Sequence, residues 1–416
     1  MKIHATLSLL LILATLLPAQ SPPVRWSGEA RFRSEADGRD FRLSTPLNLY
    51  TLSRIRLGAE TSLSDRITLK VTLQDSRTFG QEASTIANSA NIDLFEGYVR
   101  IDSLWNSGIS AQLGRMAIAY GNERIIGGLG WQNYGRVFDG LLMKSRSEAL
   151  RLDLFLMNVS DNNTAPASVN AAGTAYTYDK GITLAGIYAT LPFTPALSLD
   201  LYGIHERNGN QTKKDTIDYA FTTLGGLIKG TSGAFFYDAE AAFQIGENKR
   251  IDVAAYMTAL SAGYAMKGSF FSSVSVHADI ISGTSPSAKE FNTFTANYST
   301  GHKFFGFMDY FINFPVQTFH RGLADLALRA SLSWSDGVKS QLTLHHFSAM
   351  ENLTTTAPMN TTAVGQELDI ITTVRYSPAL QFECGAACFV PDALMRTAFG
   401  GSDLGVWGYI TTHLTF

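Results

Sequence analysis

From Trp26 onward, apolar and polar positions alternate in segments of about 10 to 14 residues. Ile67, Leu69, Val71 and Leu73 alternate with Thr68, Lys70, Thr72 and Gln74. Leu326, Leu328, Ala330, Leu332 and Trp334 alternate with Arg329, Ser331 and Ser333, and Leu368, Ile370, Thr372 and Val374 with Glu367, Asp369 and Arg375. A period of two places successive side chains on opposite faces of a strand. One face is then apolar and the other polar. In a soluble sandwich the apolar face packs on a second sheet. In an outer-membrane barrel it meets lipid, and the polar face lines water.

Connection lengths separate the two. Short connections lie near Ser64-Asp65, Asn106-Ser107, Ser147-Glu148, Pro192–Pro195, Gly230-Thr231, Lys267-Gly268, Ser335–Val338 and Ser377-Pro378. They alternate with long ones near 37–46, 78–90, 118–135, 159–179, 208–216, 283–320, 350–362 and 391–403, and with one near 246–250 that is short for its side. Tight turns at one end and long loops at the other predict an all-β, transmembrane antiparallel β-barrel of about 18 strands. The short turns are periplasmic, the long loops are extracellular, and both termini fall on the short-turn side. A chain of this size is too long for a soluble sandwich with one core. No linker or repeat divides it, so residues 20–416 form one barrel domain.

The charge balance agrees. Lys and Arg number 33, Asp and Glu 36, and charged residues make up 17% of the chain. Nucleic-acid binders carry a basic excess that is missing here. No mature stretch offers about 20 unbroken apolar residues, which excludes a membrane protein built of helices. Cys384 and Cys388, four apart on one strand, share the lipid-facing side, too far apart for a disulfide. At the start, Lys2 precedes an apolar run from Leu7 to Leu17 and then Pro18-Ala19-Gln20. This pattern predicts a secretory signal over residues 1–19, cleaved after Ala19, and a location in the outer membrane of a Gram-negative-type bacterium. At the other end, Val406, Ile410, Leu414 and Phe416 share one face and Phe416 ends the sequence. That terminal aromatic is similar to the assembly signal of bacterial outer-membrane proteins, which makes the barrel assembly machinery an expected partner beside outer-membrane lipid. Trp26, Tyr50, Phe95, Trp105, Tyr219, Phe221, Trp334 and Trp407 fall near strand ends, where amphipathic rings favour the membrane–water interfaces.

The polar phase of the strands predicts the lumen. It carries Glu29, Arg31, Arg33, Arg54, Arg56, Glu60, Lys70, Glu96, Arg100, Arg151 and Asp153, then Asp200, Asp238, Glu240, Asp279, Asp325, Arg329, Glu367, Asp369, Arg375 and Glu383. An Arg facing mid-membrane lipid costs about 2–4 kcal/mol, so these groups must face water or one another. Early strands supply most of the bases and later strands most of the acids. The closed barrel is thus expected to set a basic wall beside an acidic one. The histidines are scattered and show neither a GxSxG nor an HExxH context, so no catalytic site, cofactor or metal is expected. His345 and His346 point to opposite faces of one strand.

Three blocks carry a family resemblance. Leu113-Gly114-Arg115, Tyr120-Gly121-Asn122-Glu123-Arg124, Ile126-Gly127, Trp131 and Gly135-Arg136-Val137-Phe138-Asp139-Gly140 lie in order across a hairpin. Gly365-Gln366-Glu367-Leu368-Asp369 leads into the last strands. Phe291-Asn292, Gly301-His302-Lys303-Phe304 and Gly306-Phe307-Met308-Asp309-Tyr310-Phe311 fill the longest loop. Together they resemble the alginate-export family of outer-membrane barrels. The resemblance implies a porin-like channel that passes an anionic polysaccharide or small charged solutes. Its implied path runs past Arg115, Arg124 and Arg136, to which the lumen phase adds Arg31, Arg33, Arg54, Arg56, Arg100, Asp139, Arg329, Glu367 and Asp369. Arg115 breaks simple alternation after Leu113, by a bulge at Gly114 or a buried ion pair with Asp139. For Arg124, Arg136 and Asp139, solute contact and a structural tie of loop 118–135 to the wall are both open. The 283–320 loop, rich in Phe and Tyr, is expected to fold inward or cap the mouth and narrow the pore, the alternative being an extracellular lid packed on itself. The alternative function is a structural or adhesion barrel that does not conduct.

Overall fold

The structure, a computed structural model, describes residues 22–87, 91–161, 181–209, 219–353 and 361–416. The expected signal over 1–19 lies outside them. The strands run β1 (Val24–Gly38), β2 (Asn48–Ser64), β3 (Ile67–Thr78), β4 (Ile92–Ile101), β5 (Ile109–Met116) and β6 (Phe138–Arg146). They continue as β7 (Arg151–Asp161), β8 (Gly181–Thr194), β9 (Leu197–Asn208), β10 (Tyr219–Ser232), β11 (Phe235–Asn248) and β12 (Ile251–Ala265). The last six are β13 (Phe271–Ile281), β14 (Leu323–Ser335), β15 (Val338–Ser348), β16 (Ala363–Arg375), β17 (Leu380–Pro391) and β18 (Gly405–Thr415). Each pairs antiparallel with its sequence neighbours. β1 also pairs with β18, from Glu29 opposite Thr415 to Gly38 opposite Val406, so the 18-stranded sheet closes on itself. Closure leaves no unpaired edge, the condition for β structure in lipid. The backbone of Phe416 completes the seam by exchanging hydrogen bonds of 3.0 and 3.1 Å with Gly28.

The alternation read from the sequence sets the two faces. Leu326, Leu328, Leu342, Leu344, Leu368 and Ile370 are exposed on the outer wall, while Asp325, Thr343, His345, Glu367 and Asp369 on the same strands are buried inside. The interior is not simply water. Phe41, Phe294, Phe311, Phe314, Phe347 and Phe389 are fully buried there. They come from the strap after β1, from residues 282–322 and from β15 and β17. The loop after β17 contributes the helix α1 (Ala393–Phe399), capped by Asp392 and ended by Gly400 at φ +63°, with Leu394 and Met395 buried. Long loops on one side of the barrel thus carry a hydrophobic core of their own.

The aromatic positions divide. Trp26, Trp105 and Trp334 are exposed, as interface anchors should be. Trp407 and Phe221 instead turn inward and are buried. The Trp407 indole Nε1 donates to Glu35 at 3.0 Å, a partner that lipid would not offer.

Candidate solute path

β1 and β2 build the basic wall. The register sets Arg31 opposite Arg54 and Glu29 opposite Arg56. Like charges so close need other partners, and they find them in the segment between β5 and β6, which lies within reach of the wall. Arg31 donates to the carbonyl oxygens of Gly130 at 2.7 Å and Gln132 at 3.0 Å. Arg54 donates to the same two carbonyls at 3.1 and 2.9 Å and to Glu29. Arg33 donates to the Trp131 carbonyl and to Glu35, both at 2.7 Å. Arg56 is shared among Glu29, Gln74 and the Tyr134 carbonyl. Arg31 alone of these four forms no ion pair within 4.0 Å among the described residues. Arg100 sits lower, near a short turn, with Asp102 at 3.1 Å.

The acidic wall is satisfied differently. Tyr120 donates to Asp153, Tyr188 to Asp200, Tyr202 to Glu240, and Tyr219 and Tyr298 to Glu206. The rings of Tyr120, Tyr188 and Tyr202 stack in a row, at 4.4 and 5.7 Å between centroids. Arg124 crosses from the β5–β6 segment to this wall. It bonds both oxygens of Asp279 at 2.9 and 3.0 Å, lies 4.0 Å from Glu240 and rests over the ring of Phe304. Arg329 lies beyond it and lines, with Arg124, Asp238 and His277, a polar cavity of about 200 Å³.

Residues 282–322 meet the β5–β6 segment inside the barrel. Ile126 forms a parallel bridge with Tyr298, and Gly127 N–H donates to the Tyr298 carbonyl at 2.8 Å. Arg136 donates to the carbonyls of Gly127, Tyr298 and Ser299, so its role is to tie the two segments. Burial pushes the Arg136 guanidinium down to about 10. Glu123 takes hydrogen bonds from Lys303, Thr300 and the Gly128 N–H. Burial opposes ionisation of Glu123, but Lys303 and Thr300 outweigh it and hold its carboxyl below the usual range. Trp131 and His302 stack at 4.1 Å. Glu367 and Asp369 of β16 lie under the Gly306–Met308 turn, where Met308 N–H donates to Glu367 at 2.8 Å.

Between the segments and the wall of β17, β18, β1 and β2 lies a chamber of about 520 Å³. Arg31, Arg54, Lys303 and His413 line it, with Glu123 and Glu383. A second space of about 440 Å³ adjoins it past Trp131 and His302 and is lined by Lys339, Ser340, Gln341 and Thr373.

Arg115 and Asp139 are corrected. They bond each other twice at 2.8 Å, but on the outer face. Leu113 and Leu141 share that face and are exposed, while Met116 and Phe138 point inward and are buried. β5 runs without a register shift, so Arg115 keeps the outward phase of Leu113. A bidentate ion pair lets two charges stay on this face near the strand ends. Neither lines the lumen.

Lys303 and Glu123 line the chamber, the carbonyls of 130–134 hold its wall arginines, and none was singled out from the sequence as a site residue. Lys303 and Glu123 do stand inside the resembling blocks. The Tyr188–Asp200 and Tyr219–Glu206 pairs join neighbouring strands, whereas Tyr120–Asp153, Tyr202–Glu240 and Tyr298–Glu206 join residues 33 to 92 positions apart.

The alginate export family model matches residues 24–404. Among solved structures the chain is similar to OccAB4 of Acinetobacter baumannii, at 13% identity and a TM-score of 0.61, covering 96% of this chain and all of that one. It is similar to OpdQ of Pseudomonas aeruginosa at 11% identity and a TM-score of 0.59, covering 94% and 97%. OpdK of Pseudomonas aeruginosa, solved with vanillate, matches at 13% and 0.57, covering 94% and 98%. At these identities the likeness is one of fold. No curated protein matches the sequence.

Proposed function

Because the chain belongs to the alginate export family of outer-membrane barrels, we propose that it is a passive channel whose cargo is small acidic solutes. The observation that carries this is Arg31, a guanidinium that forms no ion pair within 4.0 Å among the described residues, on the wall of the 520 Å³ chamber beside Lys303 and His413. A fixed positive charge in a low-dielectric lumen raises the local concentration of anions. The chamber has room for one small molecule. The vanillate seen with OpdK is a small carboxylate of the favoured class.

A closed structural barrel is the second reading. The mutual fastening of residues 123–136 to 297–303 favours it, since neither segment can withdraw alone.

Recording from refolded protein in a planar bilayer tests both. An anion-selective reversal potential, with block by monomeric uronate or benzoate, supports the channel. A barrel that folds but carries no current leaves the structural reading.

A further inference from the structure

Glu367 and Asp369 are two residues apart on β16, so their side chains share the inward face. Glu367 has no exposed surface and Asp369 has 1%. Side chains two residues apart on one face of a strand stand close enough for a Glu and an Asp carboxyl to meet. Glu367 Oε2 and both Asp369 oxygens are buried with no donor among the described groups. Two carboxylates have only acceptors to offer each other. In this dry contact the pair is stable only when a proton lies between them, because two adjacent buried charges repel and neither is solvated.

The backbone above is built to fit the pair. Gly306 has φ +81°, and a Cβ there would come within 2.5 Å of the Glu367 carboxyl. Glu367 Oε1 accepts from Met308 N–H at 2.8 Å, and the Met308 carbonyl accepts from Arg39 at 2.9 Å. Both ends of one residue are thus held, one by the carboxyl pair and one by the strap after β1.

We propose that Glu367 and Asp369 share one proton and act as a latch that holds the 304–312 segment down inside the barrel and releases it when that proton is lost. This rests on reading 282–322 as the segment that narrows the channel. The surrounding charges fit the scheme. From β14, Asp325 is occupied by His345 of β15 at 2.9 Å, and Arg329 faces Asp369 from a distance. His345 Nε2 stands 3.6 Å from Asp369. From the segment itself, Asp309 is occupied by His302 at 2.6 Å, and Tyr310 donates to the Arg39 carbonyl. From β17 the packed residue is Phe389, which is apolar. His345 is the cross-strand neighbour of Glu367, and among the described residues none of these groups forms an ion pair with Glu367. Loss of the proton therefore leaves two negative charges in contact beneath the Met308 peptide. Lifting the turn, which lets water reach them, relieves the repulsion.

The test is amide hydrogen exchange of residues 304–312 in refolded protein, at neutral and alkaline pH, corrected for the intrinsic base-catalysed rate. Wild-type protection should fall about tenfold on the alkaline side, a change worth one unit of proton affinity. Glu367→Gln supplies a permanent N–H to Asp369 and keeps the acceptor for Met308, so protection should become independent of pH. Asp369→Asn does the same from the other side and serves if the first variant does not fold. Equal wild-type protection at both pH values, or a Gln variant that tracks the wild type, overturns the latch. Because exchange is read without current, a barrel that never conducts would defeat the channel reading and leave this test intact.

Discussion

The guanidinium of Arg33 lies 3.8 Å above the indole of Trp131 and also donates to that residue's own carbonyl oxygen at 2.7 Å. One wall residue therefore fixes both the backbone and the ring of the β5–β6 segment. On its other neighbour, the ring stacks with His302 from the 282–322 segment. Trp131 is the point where wall and both interior segments join.

Trp131→Ala removes the cation–π contact and the stack together. It should destabilise the barrel by about 2 kcal/mol, less than a fully buried Trp because the ring is half-buried. Urea unfolding in detergent reads this. In the bilayer the same variant should conduct more, as the segment loses its anchor. An unchanged midpoint and an unchanged conductance would remove Trp131 from the path.

Arg31→Gln deletes the charge and leaves a shorter amide facing the Gly130 and Gln132 carbonyls that the guanidinium held. The anion-to-cation permeability ratio should fall about threefold, with little change in conductance at high salt, where screening hides the charge. Arg54→Gln should do less, because Glu29 already offsets Arg54.

Arg115→Ala gives the contrasting result. The pair with Asp139 is on the outer face and partly exposed. Selectivity and conductance should match the wild type, and stability should change by under about 1 kcal/mol. A shift in reversal potential would put Arg115 back in the lumen.

These three positions show how far the sequence could be read. The barrel and its strand number were legible because a period of two repeats along the chain and turn lengths alternate at all but the 246–250 connection. The inward arginines of β1 and β2 were legible for the same reason, since Arg31, Arg33, Arg54 and Arg56 all occupy the polar phase. Arg115 was misplaced because family position was weighed above phase. An outward bidentate pair looks, in sequence, like a lumen residue displaced by a bulge. The carbonyls that Arg31 and Arg54 grip, and the tyrosines that satisfy Asp153, Asp200 and Glu240, were not legible. The Tyr188–Asp200 and Tyr202–Glu240 bonds depend on side-chain reach between wall strands. The carbonyl contacts and the Tyr120–Asp153 bond depend on how a long loop folds inside a closed wall. Nothing in the local pattern of a loop specifies that. Trp407 marks the same limit, an aromatic at a strand end that serves Glu35 rather than the interface.

The Glu123–Lys303 contact sets the acid limit of the interior. Burial works against the Glu123 charge, yet Lys303, Thr300 and the Gly128 N–H hold its carboxyl below the ordinary value. A carboxyl with a depressed value in the folded state contributes stability above its unfolded value and loses it as pH falls through the folded one. The tie between the two segments should therefore persist at neutral pH and fail in acid, below the ordinary Glu value of about 4.3. Current through single channels should grow noisier or larger below that point as 297–303 parts from 123–128. Glu123→Gln should show the loosened behaviour at neutral pH and no further change in acid. Lys303→Met should do the same from the opposite partner. If acid leaves wild-type currents unchanged while Glu123→Gln alters them, the side chain matters for packing and not for its charge.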